Sequence, residues 1–479
     1  MKQGKLYWYF IFLLLILAFI CLMKFNGLYG QDSYEYLRYT KCIKEFIKTG
    51  INPGDYFWPI LYPIIGACFS LLFPLPFALQ LISILSLVVS VIYLEKLLIL
   101  LFKTEQGTAR IYLFLFFLLS PYMLRGSLVV MADSLTILCL ISGTYYFEKY
   151  RRTHAGKYFL LVVSLFTAAI CTRYAAFVVI FPFAITATFI FFRNFKLKTL
   201  PLSIGAILLL CIPHLFIRSH SPLSFIHHEW YDSWSPLNLF RRQFNTSNGY
   251  SSYFFYNICY AFFNVVHPAF CFAGIILLVA SLRIRYSKLK SFKLTPYIIS
   301  ILLYAFFMAG IPFQDMRYLL LTFPFILLIL FPGYEYISSF LKKKNIRQCI
   351  MVGVVLIQLA LFCRAFIPFY RYNKTEKYIA TSMLHYSGRT LCTFSIDGAL
   401  KSYGYTGKII NLWSTKLDTM PKADSSLLVL FNTGQFSAVW ENGNPIKNWD
   451  FLHKQYDMIK LEDMPDGWVL YCCSRKTEF

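Results

Sequence analysis

Charge is scarce in this 479-residue chain, at 14% of residues, where a soluble globular domain carries about 25%. Acid is scarcer still, with 23 Asp and Glu against 46 Lys and Arg. No Gly-rich phosphate loop occurs, which argues against nucleotide binding. The thirteen cysteines follow no metal-ligand spacing. Most, such as Cys139, Cys171 and Cys271, lie inside apolar runs, where a thiol behaves as a small hydrophobe. Cys42, Cys392, Cys472 and Cys473 lie outside them without forming a redox or zinc pattern. No His/Asp/Glu spacing marks a metal site either. His227, His228 and Glu229 are too local a group, and read as a solvated interfacial loop or as a contact for an acceptor. No cofactor is expected, and whether a divalent metal assists is left open.

Apolar residues are what the chain has in abundance: 58% are hydrophobic and 19% aromatic. Runs near 20 residues recur from Tyr7 to Pro368, and roughly that length is needed to cross a bilayer as a helix. No water-soluble core explains so many. The first run, Leu6 to Met23, lacks a small-residue cleavage site and is expected to be a retained span.

The +23 formal charge suggests nucleic acid until it is located. Residues 1–370 hold 33 Lys and Arg against 12 Asp and Glu. Six clusters carry most of the basic ones: Lys2/Lys5, Lys103/Arg110, Lys149 to Lys157, Arg193 to Lys198, Arg283 to Lys293, and Lys342 to Arg347. Short loops rich in Lys and Arg remain cytoplasmic. The charge is therefore a topology signal, and no nucleic-acid partner is expected.

Candidate spans are 7–25, 77–101, 111–125, 132–148, 158–172, 174–192, 199–217, 253–282, 294–310, 317–340 and 348–368. Eleven spans with the N-terminus inside place all six basic clusters in the cytoplasm. Residues 58–73 resemble a twelfth, but they are short and carry Pro59 and Pro63. Counting them would put five basic clusters outside. They are expected instead to form a re-entrant or interfacial helix, tolerated where protein or water covers its backbone. The expected fold is thus an all-α polytopic membrane domain, 1–370, with outer loops at 26–76 and 218–252. A small extracytoplasmic α/β domain follows at 371–479. There, runs at 391–395, 408–412, 426–431, 457–461 and 467–473 read as strands, and 376–387 and 446–455 as helices.

Twelve carboxylates precede residue 371, and the chemistry is sought among them. Glu95, Glu105, Glu148 and Glu335 fall at cytoplasmic ends; Glu45, Asp55, Glu229 and Asp232 lie in outer loops. Asp32, Glu35, Asp133 and Asp315 remain, each by an outer helix end, and an ionisable residue near membrane depth is a functional candidate by default. Asp32 and Glu35 are three apart and share a helix face. Asp32 could also be an N-cap with Glu35 as its capping-box partner. Asp133, near Arg125, could cap the next helix. Arg173, between Thr172 and Tyr174, could snorkel at an interface. Asp315, Arg317 and Tyr318 open the tenth span. All four groups are expected at one membrane face, which scattered caps would not require.

Five pieces in order carry a resemblance: Asp32-Ser33-Tyr34-Glu35-Tyr36, Trp58 to Pro63, Ala132-Asp133-Ser134, Thr172-Arg173-Tyr174, and Arg317-Tyr318 running to Pro324. Over about 370 residues the chain resembles the GT-C glycosyltransferases, in particular bacterial relatives of the dolichyl-phosphate-mannose protein mannosyltransferases and the lipid A aminoarabinose transferase. The resemblance implies a catalytic carboxylate in the first outer loop, which maps onto Asp32, and cations near a donor phosphate, for which Arg317 and Arg173 stand. Tyr318, Asp133 and Glu35 complete the expected substrate-binding set. Ser33 follows Asp32 where many relatives have a second acid, and Ala132 precedes Asp133 where Pro is usual; this bears on Glu35 and Asp133 more than on Asp32.

The activity implied is transfer of a hexose or pentose from a polyprenyl-phosphate donor to a lipid, glycan or protein acceptor, with inversion. It would occur on the periplasmic or extracytoplasmic side of a bacterial inner membrane. The rivals are a transporter or flippase, a polysaccharide polymerase or ligase using lipid-linked glycans, and a non-catalytic scaffold. No internal repeat of the transporter kind is found.

Overall fold

The computed structural model describes residues 7–54, 56, 58–194, 198–217, 232–246, 249–284, 294–341, 343–415, 427–436 and 444–475. Outside it lie His227, His228, Glu229 and several expected cytoplasmic basic residues, among them Lys2, Lys5, Lys196, Lys288 and Lys342. The chain divides into two compact units. One comprises residues up to Gly27, Tyr39–Arg242 and Tyr253–Ile367; the other comprises Leu28–Arg38, Gln243–Ser252 and the chain from Pro368 onward.

The first unit is helical. Five helices are long and apolar enough to cross a membrane: Leu75–Phe102, Ala176–Arg193, Thr199–Ile217, Phe323–Phe340 and the long helix from Asn345. Shorter apolar helices are Tyr7–Met23, Gly156–Ile170, Gly274–Arg283 and Thr295–Ala309. Helix Asp133–Thr153 packs between Leu75–Phe102 and Gly156–Ile170. Gly143 permits the second approach: a Cβ there would lie 2.5 Å from the Phe166 ring. Small residues let membrane helices come close, because lipid provides no hydrophobic drive between them. Many apolar side chains point outward, including Leu209, Phe189 and Leu356. Such a surface is costly in water and ordinary in lipid.

Two expected spans are not single straight helices. The one at 111–125 is a pair, Gln106–Leu118 and Pro121–Leu128, bent by 68°. Pro121 lacks the N–H that would continue the ladder. The one at 253–282 breaks into Asn257–Tyr260, Phe263–Val266 and Gly274–Arg283, with Pro268 in the gap. Within 58–73 the helix runs only Leu61–Phe69, nine residues, or ~14 Å at 1.5 Å per residue. That is under half the hydrocarbon thickness.

In the second unit, five strands form a sheet. They are β3 (Leu391–Thr393), β4 (Ile409–Asn411), β5 (Leu427–Phe431), β6 (Tyr456–Asp463) and β7 (Val469–Arg475), counted after a hairpin of β1 (Gln243–Thr246) and β2 (Gly249–Ser252). The order is β4-β3-β5-β7-β6; β3 is parallel to β4 and β5, while β7 is antiparallel to β5 and β6. β5 is buried along its whole length, which accounts for its unbroken apolar run. The helices are Asp397–Tyr403 and Asn444–Gln455. The helix expected at 376–387 is not separate: Lys344–Ser382 is continuous through Pro368. A proline ring removes one ladder bond without forbidding the rest.

Candidate active site

In the first unit, three of the sequence motifs meet. Helix Asp133–Thr153 begins at Asp133, with Ala132 as the capping residue and no side-chain cap bond. The Asp133 carboxylate is 2% exposed and turns toward two arginines instead. Arg173, from the turn between helices Gly156–Ile170 and Ala176–Arg193, forms a direct ion pair with it. Arg317 Nε approaches its other oxygen at 3.6 Å. Both guanidiniums also lie over the Tyr318 ring, Arg173 at 4.7 Å and Arg317 at 5.4 Å from its centroid. A buried carboxylate is costly unless paired, so the cations are required by Asp133 as much as they are held by it. Two guanidiniums thus share one buried carboxylate.

Loop backbone at this place is pinned by buried amides. Asp315 caps the 3₁₀ turn Met316–Leu321, accepting the Arg317 amide at 2.8 Å. Asn264 Nδ2 donates to the Leu319 carbonyl at 3.1 Å and to Thr322 Oγ1 at 3.0 Å. Asn257 Nδ2 donates to the Ala309 carbonyl at 2.7 Å, and Gln314 Nε2 to that of Met308 at 2.6 Å. Tyr304 donates to the Tyr318 carbonyl at 2.9 Å. Arg317 Nη1 reaches Met131 Sδ at 3.2 Å. On the other side, Thr136 Oγ1 donates to Thr172 Oγ1 at 3.1 Å, and the Leu61 amide donates to the Cys171 carbonyl at 3.0 Å. The short helix Leu61–Phe69 is thereby tied beside the turn that carries Arg173. None of Asn257, Asn264, Gln314 or Tyr304 stands out in the sequence, because polar residues in apolar runs look alike until their partners are known. Arg125 lies over the Tyr122 ring at 4.6 Å.

In the second unit, helix Gly30–Thr49 begins with Asp32 in its first turn. Asp32 is half-buried. Next to it, Ser33 Oγ accepts the Tyr29 amide at 2.5 Å and donates to the Tyr29 carbonyl at 2.6 Å, tying the first turn to the residue before it. Glu35 is engaged by Arg38, whose Nε donates to it at 2.7 Å. Glu35 is thus held in a surface ion pair one turn on. The amide of Gly30 meets the Glu376 carboxylate at 3.4 Å. Glu376 is fully buried and lies past the apolar stretch 348–368; burial pushes its carboxyl well above the usual carboxylate range. Burial, and then Glu376 itself, pushes the Tyr34 phenol up. Among the described residues, no three His, Cys, Asp or Glu side chains are grouped to hold a metal ion.

Residues 59–217 match the family model of dolichyl-phosphate-mannose-protein mannosyltransferase. Among solved structures, the chain resembles ArnT from Cupriavidus metallidurans bound to undecaprenyl phosphate, with TM-score 0.61, 12% identity and 98% of each chain covered. It also resembles the apo oligosaccharyltransferase of Archaeoglobus fulgidus, with TM-score 0.55, 13% identity, and 98% of this chain and 75% of that one covered. The archaeal AglB from the same organism, in complex with an inhibitory peptide and a dolichol-phosphate, matches with TM-score 0.51, 12% identity, and coverage of 98% and 74%. No curated protein matches the sequence. The chain is a membrane protein with the fold of the GT-C glycosyltransferases, the group that its five motifs resemble.

Proposed function

We propose that this protein transfers a sugar from a polyprenyl-phosphate donor to a lipid, glycan or protein acceptor. The observation that carries the reading is the meeting of Arg173 and Arg317 on one buried carboxylate and one tyrosine ring. A guanidinium binds phosphate oxygens through a planar fork of donors. Two of them, already oriented by Asp133, constitute a preorganised site for the charge that grows on a departing phosphate. The likeness in fold to a protein holding undecaprenyl phosphate and to one holding dolichol-phosphate supports that choice of donor.

In this mechanism the acceptor hydroxyl attacks the anomeric carbon as the bond from that carbon to the phosphate oxygen breaks. Asp32 takes the hydroxyl proton as general base. The polyprenyl phosphate leaves as an anion onto Arg173 and Arg317, and the single displacement inverts the anomeric centre. Tyr318 orients both arginines, and Asp133 keeps them apart and aimed. Glu35 serves the acceptor side through its pair with Arg38. No cofactor takes part in these steps. Eleven crossings with the N-terminus inside would set this chemistry on the extracytoplasmic face of a bacterial inner membrane, with the domain at 371–479 on the same side.

The direct test reconstitutes the full chain in vesicles with undecaprenyl phosphate esterified to labelled hexoses and pentoses, and measures release of undecaprenyl phosphate with label moving to an added acceptor. Transfer with an inverted linkage is expected. Passage of intact donor across the bilayer without cleavage would replace this reading by a flippase.

A further inference from the structure

The turn that carries Asp32 is built jointly with the C-terminal part of the chain. Within the second unit, the Gln31 side chain donates to Asp397 Oδ1, and its carbonyl oxygen accepts the Gly398 amide at 3.0 Å. One side-chain amide thus spans both groups at the start of helix Asp397–Tyr403. Gly398 is a requirement of that approach: a Cβ there would lie 2.6 Å from Gln31 Oε1 and 3.0 Å from Tyr34 Cβ. On the other flank, Glu376 meets the first amide of helix Gly30–Thr49 at 3.4 Å, and Asn373 Nδ2 donates to the Leu28 carbonyl at 2.7 Å. The Tyr29 ring stacks on Phe369 at 3.8 Å. Residues 28–31 are therefore held from both directions, immediately ahead of Asp32.

We propose that the C-terminal domain is a positioning element for the catalytic base: Gln31, clasped by Asp397 and the Gly398 amide, fixes the helical turn that aims Asp32. This rests on the reading of Asp32 as the base. The physical reason lies in how steeply proton abstraction depends on geometry. A base must stand within hydrogen-bond reach of the proton it removes, and a misplacement of about 1 Å can cost on the order of a hundredfold in rate. The first turn of a helix has no preceding turn to brace it, and its amides lack intrahelical acceptors. Gln31 and Glu376 replace that missing bracing with tertiary contacts. The donor-phosphate arginines belong to another part of the chain, so loss of the clasp should lower turnover and leave donor binding intact.

The experiment compares Gln31→Ala, Gln31→Glu, Asp397→Ala, Asp397→Asn, the pair Gln31→Glu with Asp397→Asn, and Asp32→Asn in the reconstituted full chain. Three readouts are taken: hydrogen exchange at the amides of residues 30–33, binding of undecaprenyl phosphate, and turnover with whichever undecaprenyl-phosphate sugar the wild type accepts. Gln31→Ala and Asp397→Ala should speed exchange at 30–33 and lower kcat roughly ten- to a hundredfold, with undecaprenyl phosphate binding unchanged. Asp397→Asn keeps an acceptor oxygen and should remain close to wild type. The pair Gln31→Glu with Asp397→Asn exchanges donor and acceptor, and should restore what Gln31→Glu alone loses. If the alanine variants unfold the domain, recovery by the exchanged pair decides: recovery supports the clasp and its failure overturns it. Wild-type kcat in a folded Gln31→Ala, while Asp32→Asn is inactive, refutes the clasp and leaves the base standing. Full activity in Asp32→Asn removes the base itself, and the clasp with it.

Discussion

Arg317 Nε and Asp133 Oδ2 stand 3.6 Å apart, joining two segments that are 184 positions distant in the chain. The carboxylate is almost wholly buried, while the Arg317 side chain keeps about a quarter of its surface exposed. Arg317 is thus held on a buried carboxylate while part of its side chain remains exposed.

That arrangement predicts a split between charge and fork. Arg317→Ala should weaken undecaprenyl phosphate binding roughly ten- to a hundredfold, as expected for loss of a hydrogen bond to a charged group. Arg317→Lys retains the charge without the bidentate geometry and should keep partial turnover. A folded Arg317→Ala with undiminished affinity and turnover would show that the phosphate binds elsewhere.

Asp133→Asn tests the same site from its other half. It leaves two guanidiniums facing without their buried counter-charge, so the melting temperature should fall. Added undecaprenyl phosphate should then raise it by more than in the wild type, because the anion supplies the missing charge and binding to the folded state adds stability. Equal ligand-induced shifts in the two proteins would count against a phosphate at this cluster.

Asp32→Asn preserves shape and removes the basic oxygen. Turnover should fall by about 10²–10⁴-fold, the usual contribution of general acid–base catalysis, with expression and donor binding unchanged. Asn caps a helix as well as Asp does, so a purely structural role of Asp32 predicts instead that activity persists. Near-wild-type transfer at saturating donor would return Asp32 to structure.

Glu376 gives a pH dependence. Its folded carboxyl is raised by burial above its unfolded value. The neutral form is therefore favoured in the fold: the benefit is complete below the unfolded value and is lost as pH rises through the folded one. Glu376→Gln should raise the melting temperature at pH 8 relative to wild type, and the two curves should converge toward pH 4. A gap that stays constant with pH would mean that Glu376 does not titrate on unfolding.

Sidedness is tested at Ser414, an exposed residue beside the sheet. Placed as a lone cysteine in a background lacking the thirteen native ones, Ser414→Cys should react with impermeant reagents from the extracytoplasmic side. Labelling from the cytoplasm alone would invert the topology and the site assignment together.

The linear sequence determined the membrane character, most helices and the strands of the small domain, because these follow from local runs: apolar stretches near 20 residues and short β-rich segments. It also marked Asp133, Arg173, Arg317 and Tyr318, since charge within apolar surroundings is conspicuous anywhere. The run at 253–282 misled, because an apolar run reads the same whether its helix is whole or broken between Val266 and Gly274. Only the tertiary structure decided that Asp133 faces two arginines rather than capping its own helix, and that Glu35 is paired with Arg38. It alone joined Gln31 to Asp397 across 366 positions. The reason is physical: helix and strand formation are governed by neighbours in sequence, whereas the partner of a buried polar group is whichever donor or acceptor the packed chain brings within about 3 Å.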